Sequence, residues 1–296
     1  MRAELAIELR RARDGTVAAH GALALAPYWC RWDGATLWIV GSAATPVGDD
    51  DITFALDVGE GVTASVRSVA ATVVYAARGE GTRITTRLRV AAGATLVWQP
   101  EPVIVTERAR HRAVLEADVA ADGTLCADEV VVFGRSDEGL GGYRSTMDLR
   151  RDGGPFSLTS FDSSLPGWTG PGGVDGAKVV GTRLTIGPLG TLPPADAATV
   201  DQRTVVVRPT EHCAIATTLA ADPTEAGARL GAALRRPELG ASAGLDLVDG
   251  ADAAPAHEDP GGAHERERDG ERPERAGGRA PAGVGAAAAA PGPGGL

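Results

Sequence analysis

Polar and apolar residues alternate along most of the first 220 positions, and alternation at period two marks a half-buried strand. Glu4 to Leu9 (ELAIEL) opens the pattern and Ile52 to Val58 (ITFALDV) keeps it. Thr82 to Val90 (TRITTRLRV) sets Arg or Thr against apolar residues. Val103 to Arg108, His111 to Val119, Ala127 to Phe133, Tyr143 to Leu149, Lys178 to Ile186 and Thr204 to Arg208 repeat it. Between the runs lie turn signals such as Gly59-Glu60-Gly61, Ala92-Gly93, Asp122-Gly123 and Asp152-Gly153-Gly154. Strands spaced in this way predict a sandwich, a barrel or a solenoid. The turns follow no strict short repeat, so a solenoid would be irregular.

One helix has clear signals. Asp222 can cap it, Pro223 suits its first position, and Ala226, Leu230, Ala233 and Leu234 share a face before Pro237 stops it. Gly167 to Gly176 (GWTGPGGVDG) is a long glycine-rich loop. Beyond Gly250 only Val284 is β-branched or aromatic, and the segment mixes charge runs with GAAAAAPGPGGL. Such a composition buries too little apolar area to offset ordering entropy. The expected organisation is therefore a β domain over 1–249 and a disordered low-complexity tail over 250–296.

Composition narrows the function. Acidic residues number 39 against 29 basic, a formal net charge of −10, and Lys178 is the single lysine. Phosphate affinity comes from clustered Lys and Arg, so nucleic acid is not the expected partner. The amino-terminal MRAELAIELRRARDG has no uninterrupted apolar stretch, and no run approaches the ~20 apolar residues of a membrane helix. Three sparse cysteines, Cys30, Cys126 and Cys213, form neither a disulfide framework nor a zinc pattern. These features lead us to expect a cytoplasmic protein without a membrane partner.

Nucleotide-binding signatures are missing. No G-x-x-x-x-G-K-[ST] loop occurs, and the Gly-x-Gly fragments fall in hairpins. His212 and Cys213 are adjacent, which places them on opposite faces of a strand and unable to share an ion. Asp49-Asp50-Asp51, Asp128-Glu129 and Asp137-Glu138 offer carboxylates that read first as solvated surface. The last four could serve a carbohydrate-active β-solenoid enzyme only if stacked strands aim them into one groove. A metal-independent binding module that uses Gly167 to Gly176 as its recognition loop is the other alternative.

Several segments occur in a telling order. Gly48-Asp49 opens a strand, and GEGVTASVRSVAATVVY runs from Gly59 to Tyr75. AGATLVWQPEPVI runs from Ala92 to Ile104, and Phe133-Gly134-Arg135 precedes an acidic, glycine-rich stretch. Over roughly residues 5 to 220 this order resembles the urease accessory protein family UreD, also called UreH. The chain departs from that pattern at Gly41 to Val47, at Arg67-Ser68-Val69, at Val73 and at Leu140. The acidic residue expected soon after Gly134-Arg135 is displaced to Glu138.

The resemblance implies a mainly β, irregular β-helical fold with one or two short α-helices, and no enzymatic activity. It implies UreF and UreG accessory proteins and the urease apoprotein subunits as partners. It implies no tightly bound cofactor, with nickel in transit through a water-filled tunnel. Gly48, Asp49, Ala71, Thr72, Tyr75, Gln99, Pro100, Glu101, Gly134 and Arg135 match family positions. Asp49, Tyr75, Glu101, Arg135 and Glu138 are the residues expected to contact partners or line a polar nickel conduit.

Overall fold

The computed structural model describes residues 1–76, 79–188, 199–237 and 239, with backbone alone for 199–201. The expected tail over 250–296 lies outside the described residues. In chain order the strands begin β1 (Arg2–Arg11), β2 (Val17–Gly21), β3 (Ala24–Leu25), β4 (Tyr28–Trp32), β5 (Thr36–Gly41) and β6 (Asp51–Val58). Next are β7 (Thr63–Ser68), β8 (Thr72–Val74), β9 (Thr82–Val90), β10 (Thr95–Gln99), β11 (Val103–Val105), β12 (Arg110–Val119) and β13 (Thr124–Phe133). The series ends with β14 (Gly142–Arg151), β15 (Gly154–Asp162), β16 (Val179–Ile186), β17 (Thr199–Asp201), β18 (Thr204–Thr210), β19 (Cys213–Ala220) and the helix α1 (Pro223–Ala233).

The strands form two facing sheets. One has the order β15-β14-β12-β9-β6-β1-β2, and the other β17-β18-β19-β16-β13-β10-β7-β5-β4-β3. The chain crosses from sheet to sheet, so β1, β6, β9, β12 and β14 lie parallel in the first. In the second, β5, β7, β10 and β13 lie parallel. The result is an irregular β-solenoid of about four turns, closed by antiparallel β16, β19 and β18. Gly61 and Gly93 occupy equivalent corners of successive turns, both at left-handed φ (61° and 62°), where a side chain would be strained. The Gly61 N–H donates to the Ala92 carbonyl at 2.9 Å, which locks one corner on the next.

Alternation sends one face of every strand between the sheets. Leu5, Leu9, Ile52, Val58, Leu96 and Leu125 are among the fully buried side chains of the larger core. A second core, around Val105, Phe133 and Tyr143, fills the end of the solenoid near the β13–β14 connection. Trp168 of the glycine-rich loop stacks on Phe161 at 5.2 Å and Val174 is buried, so this loop caps the second core.

The helix follows its signals. Asp222 Oδ1 accepts from the Glu225 N–H at 2.8 Å, and Glu225 Oε2 accepts from the Ala221 N–H at 2.8 Å. Ala226, Leu230 and Ala233 are buried against the outer face of β16 and β19. A Cβ on Gly181 would sit 3.1 Å from Leu230, so the glycine gives the helix its seat. Beneath it Arg183, 1% exposed, binds both oxygens of Asp128 at 2.6 and 2.8 Å. Arg183 also donates to the Leu234 carbonyl, and Arg236 to Asp128 Oδ2.

Two expectations need correction. The strand expected over Val103 to Arg108 stops at Val105, because the Thr106 hydroxyl donates to the Val74 carbonyl and the chain turns to Arg108 at φ 64°. His212 lies in the turn before β19 rather than in a strand, with Nδ1 3.1 Å from the Gly187 carbonyl oxygen. No helix of the described residues is long and apolar enough to cross a membrane, and Cys30, Cys126 and Cys213 are free and buried.

Candidate functional site

The apolar interior is interrupted between its two cores. At this level the inward positions carry small or polar side chains: Ala113 on β12, Ser145 on β14, and Ala127 and Glu129 on β13. The second sheet is also broken there. Pro100 and Pro102 lack the N–H that would continue a ladder, so β10 ends and β11 restarts after Glu101. Val69-Ala70-Ala71 separates β7 from β8 in the neighbouring turn. Small interior residues behind a broken sheet leave a cavity of about 340 Å³. A water molecule needs only about 10–15 Å³ of such space, so several fit.

The cavity runs from exposed Val69, Ala71 and Glu101 to buried His111 and Tyr143 and half-buried Glu129. Ser145 Oγ donates to Glu129 Oε1 at 2.9 Å. Burial pushes the Glu129 carboxyl above its usual pKa, and the Ser145 hydrogen bond offsets part of that rise. Glu129 retains some exposure because it borders the cavity. The Tyr143 hydroxyl lies near Glu129 and Ser145 without closing a hydrogen bond of ordinary geometry to either, and burial raises its pKa well above the usual value. His111 Nδ1 is 2.7 Å from Thr82 Oγ1, its ring faces Tyr143 at 5.6 Å, and burial lowers its pKa to about 4. A carboxyl, an imidazole and a phenol hydroxyl thus line one cavity, with the Ser145 and Thr82 hydroxyls bonded to the first two. Among the described residues no three His, Cys, Asp or Glu side chains group as a metal-holding set. These donors can hand on a hydrated cation or a proton, each by weak contacts.

The five residues singled out in sequence lie outside this interior. Four sit on the rim formed by the connections into the first sheet. Asp49 is exposed and its Oδ1 accepts from the Gly81 N–H at 3.2 Å. Arg135 and Glu138 pair at 2.5 Å, and Glu138 also accepts from the Arg135 and Glu107 N–H groups. The Arg135 hydrogen bond pulls the Glu138 carboxyl down to about 2. Tyr75, 47% exposed, lies close enough to act on the Arg135 charge. Glu101 stands apart at the cavity mouth, where its N–H donates to Ser68 Oγ at 2.8 Å. The structure gathers Tyr75, Arg135 and Glu138, and leaves Asp49 and Glu101 on other loops.

The sequence offered Glu129 only as a solvated or groove carboxylate and did not single out His111. The signal was present for both: each falls in the apolar phase of its strand, Glu129 in step with Leu125, Ala127, Val131 and Phe133. Its neighbour Asp128 faces the other way, into the Arg183 and Arg236 pair. Asp137 and Glu138 belong to the rim. The four carboxylates that a carbohydrate-active enzyme would need in one groove therefore face three different regions. Asp50 and Asp51 are likewise spoken for, by the Met1 amino group at 2.5 Å and by Arg2 at 3.5 Å.

Comparison with known proteins bears on this architecture. Residues 2–246 match the family model described as UreD urease accessory protein. The chain belongs to the UreD family. Curated UreD relatives include one from Frankia casuarinae, 35% identical over 167 residues, which are 52% of each chain. One from Parafrankia sp. is 32% identical over 186 residues, 55% of this chain and 63% of its own length. A UreD protein of Rhodopseudomonas palustris is 29% identical over 210 residues, 67% of this chain and 73% of its own. The chain thus spans between half and two thirds of the first two relatives' length.

Proposed function

We propose that this chain acts in urease maturation as a non-enzymatic scaffold that passes nickel toward the apoprotein. Membership of a family named for urease accessory proteins supports the setting. The observation that carries the mechanism is the Glu129, Tyr143 and His111 lining of a cavity that opens at Glu101, with Ser145 bonded to Glu129. Nickel is cargo here. It would move hydrated, touching one carboxylate, one imidazole and hydroxyls in turn, since a full chelating set would retain it. The rim residues Asp49, Tyr75, Arg135 and Glu138, with Glu101, supply the contacts to UreF- and UreG-type accessory proteins and to the urease subunits. The proposed setting is the cytoplasm, and 250–296 is a tail dispensable for the fold.

The test is co-expression of this chain with the urease subunits and the UreF and UreG proteins of the same genome. Wild-type should co-purify with them and support urease activity. Glu129→Leu should still co-purify and yield urease short of nickel by metal analysis. Full nickel loading with Glu129→Leu would remove the cavity from the route, and lack of any co-purification would remove the scaffold.

A further inference from the structure

The outer face of the first sheet bears charges in register, and its rows treat them differently. One row crosses the strands as Glu8, Asp57, Arg89, Asp118 and Arg150. The next holds Arg87, Glu116 and Asp148 side by side. In both, carboxylates alternate with guanidinium groups or cluster beside them: Arg10 reaches Asp57 at 2.9 Å, and Arg87 reaches Glu116 at 2.8 Å.

The row at the start of the strands breaks this rule. Arg83, Arg112 and Arg144 are direct neighbours on β9, β12 and β14, and Arg110 stands two residues before Arg112 on the same face. Parallel strands lie about 4.8 Å apart, so these are adjacent like charges, an arrangement that destabilises a sheet. Carboxylates stand only at the ends of the row: Asp51, beside Arg83 on β6, pairs with Arg2 at 3.5 Å, and Asp162 pairs with Arg144. Among the described residues no carboxylate comes within ion-pair reach of Arg83, Arg110 or Arg112, and Glu80 and Glu107 in the flanking loops make no ion pair with them. All three arginines are exposed. A chain of net charge −10 thus keeps a strip of unpaired arginine on one edge of one face.

We propose that this arginine row is a docking surface for an acidic segment of a protein partner. Guanidinium groups bind carboxylates in bidentate fashion, and a fixed row of them reads a short run of Asp or Glu. A nucleic acid fits worse. Its charge is continuous, and Glu116, Asp148 and Glu4 lie on the same face within two or four residues along the strands. The row also begins where the rim loops end: Arg83, Arg112 and Arg144 each follow a residue of the buried trio Thr82, His111 and Tyr143. An acidic segment held there would sit directly across the sheet from the cavity. The inference does not rest on nickel transfer, because substitutions of the row leave the cavity lining intact.

The experiment measures fluorescence anisotropy of a labelled short Glu-rich peptide with the full chain, at rising NaCl. Wild-type should bind saturably and lose affinity with salt. Arg83→Ser/Arg112→Ser should weaken binding about tenfold or more, and Arg83→Glu/Arg112→Glu should abolish it. Arg87→Ser/Arg89→Ser, in the rows where carboxylates stand beside the arginines, should change it less than about twofold. Circular dichroism should show all variants folded, and relief of like-charge repulsion should hold or raise Tm in the serine pair; if the Glu pair unfolds, the serine pair alone decides. No binding by wild-type overturns the proposal. So does equal loss in both sets of variants, or a single-stranded oligonucleotide that binds more tightly than the peptide at the same salt.

Discussion

His111 makes acidification a quantitative probe of the cavity wall. The ring is 4% exposed, packed against Tyr143 and hydrogen-bonded to Thr82, and burial takes its pKa from 6.5 to about 4. The folded state therefore binds its proton less readily than the unfolded chain. For such a group the contribution to stability is fully present above pH 6.5 and is lost as pH falls toward 4. A difference of this size, at about 1.4 kcal/mol per unit, removes about 3 kcal/mol by about pH 4. In a fold of this length that corresponds to a fall in Tm of about 6–12 °C. Asp50 and Asp162, whose carboxyls are held below the usual value by their hydrogen-bond partners, lose their contribution at lower pH than His111. The comparison that isolates His111 is urea unfolding of wild-type and His111→Gln, which keeps a hydrogen-bonding side chain beside Thr82 but cannot titrate. Between about pH 7.5 and about pH 4.5 the variant should lose roughly 2–3 kcal/mol less than wild-type. Parallel curves would refute the burial argument.

Glu129 should behave with the opposite sign. Its raised pKa means that stability is lost as pH rises through the folded value, so Glu129→Gln should gain on wild-type at about pH 8 and converge with it at about pH 4 in the same urea series. Asp128→Ala leaves Arg183 buried without its carboxylate and should cost about 3–5 kcal/mol, read by chemical denaturation, while Asp128→Leu/Arg183→Met should recover most of it. Gly181→Leu drives a side chain into Leu230 and Ala226, and should expose α1 to limited proteolysis while the far core around Leu5 and Leu96 keeps its amide protection.

Much of the fold was legible because period-two alternation reports burial directly. Thr82 to Val90 is a strand over the span that its pattern indicated, and Asp222 caps α1 as its position before Pro223 implied. Short or unevenly patterned strands were harder. β3 has two residues, and β15 leaves Leu158 71% exposed, so neither has a clear buried phase. The turn after Val105 depends on a hydroxyl bonding a carbonyl 32 residues away, which no local pattern carries.

The site divides in the same way. Sequence by itself determined the two-faced strands, the proline break at Pro100 and Pro102, the capped helix and the net negative charge, because each is a property of neighbours along the chain. Only the tertiary structure decided that the break opens on small residues from other turns. It also decided that Glu129 faces inward while Asp128 faces Arg183, and that Arg83, Arg112 and Arg144 fall side by side. Those relations depend on register between strands some 30 residues apart. A shift of one residue in that register would exchange cavity lining for outer face along an entire strand.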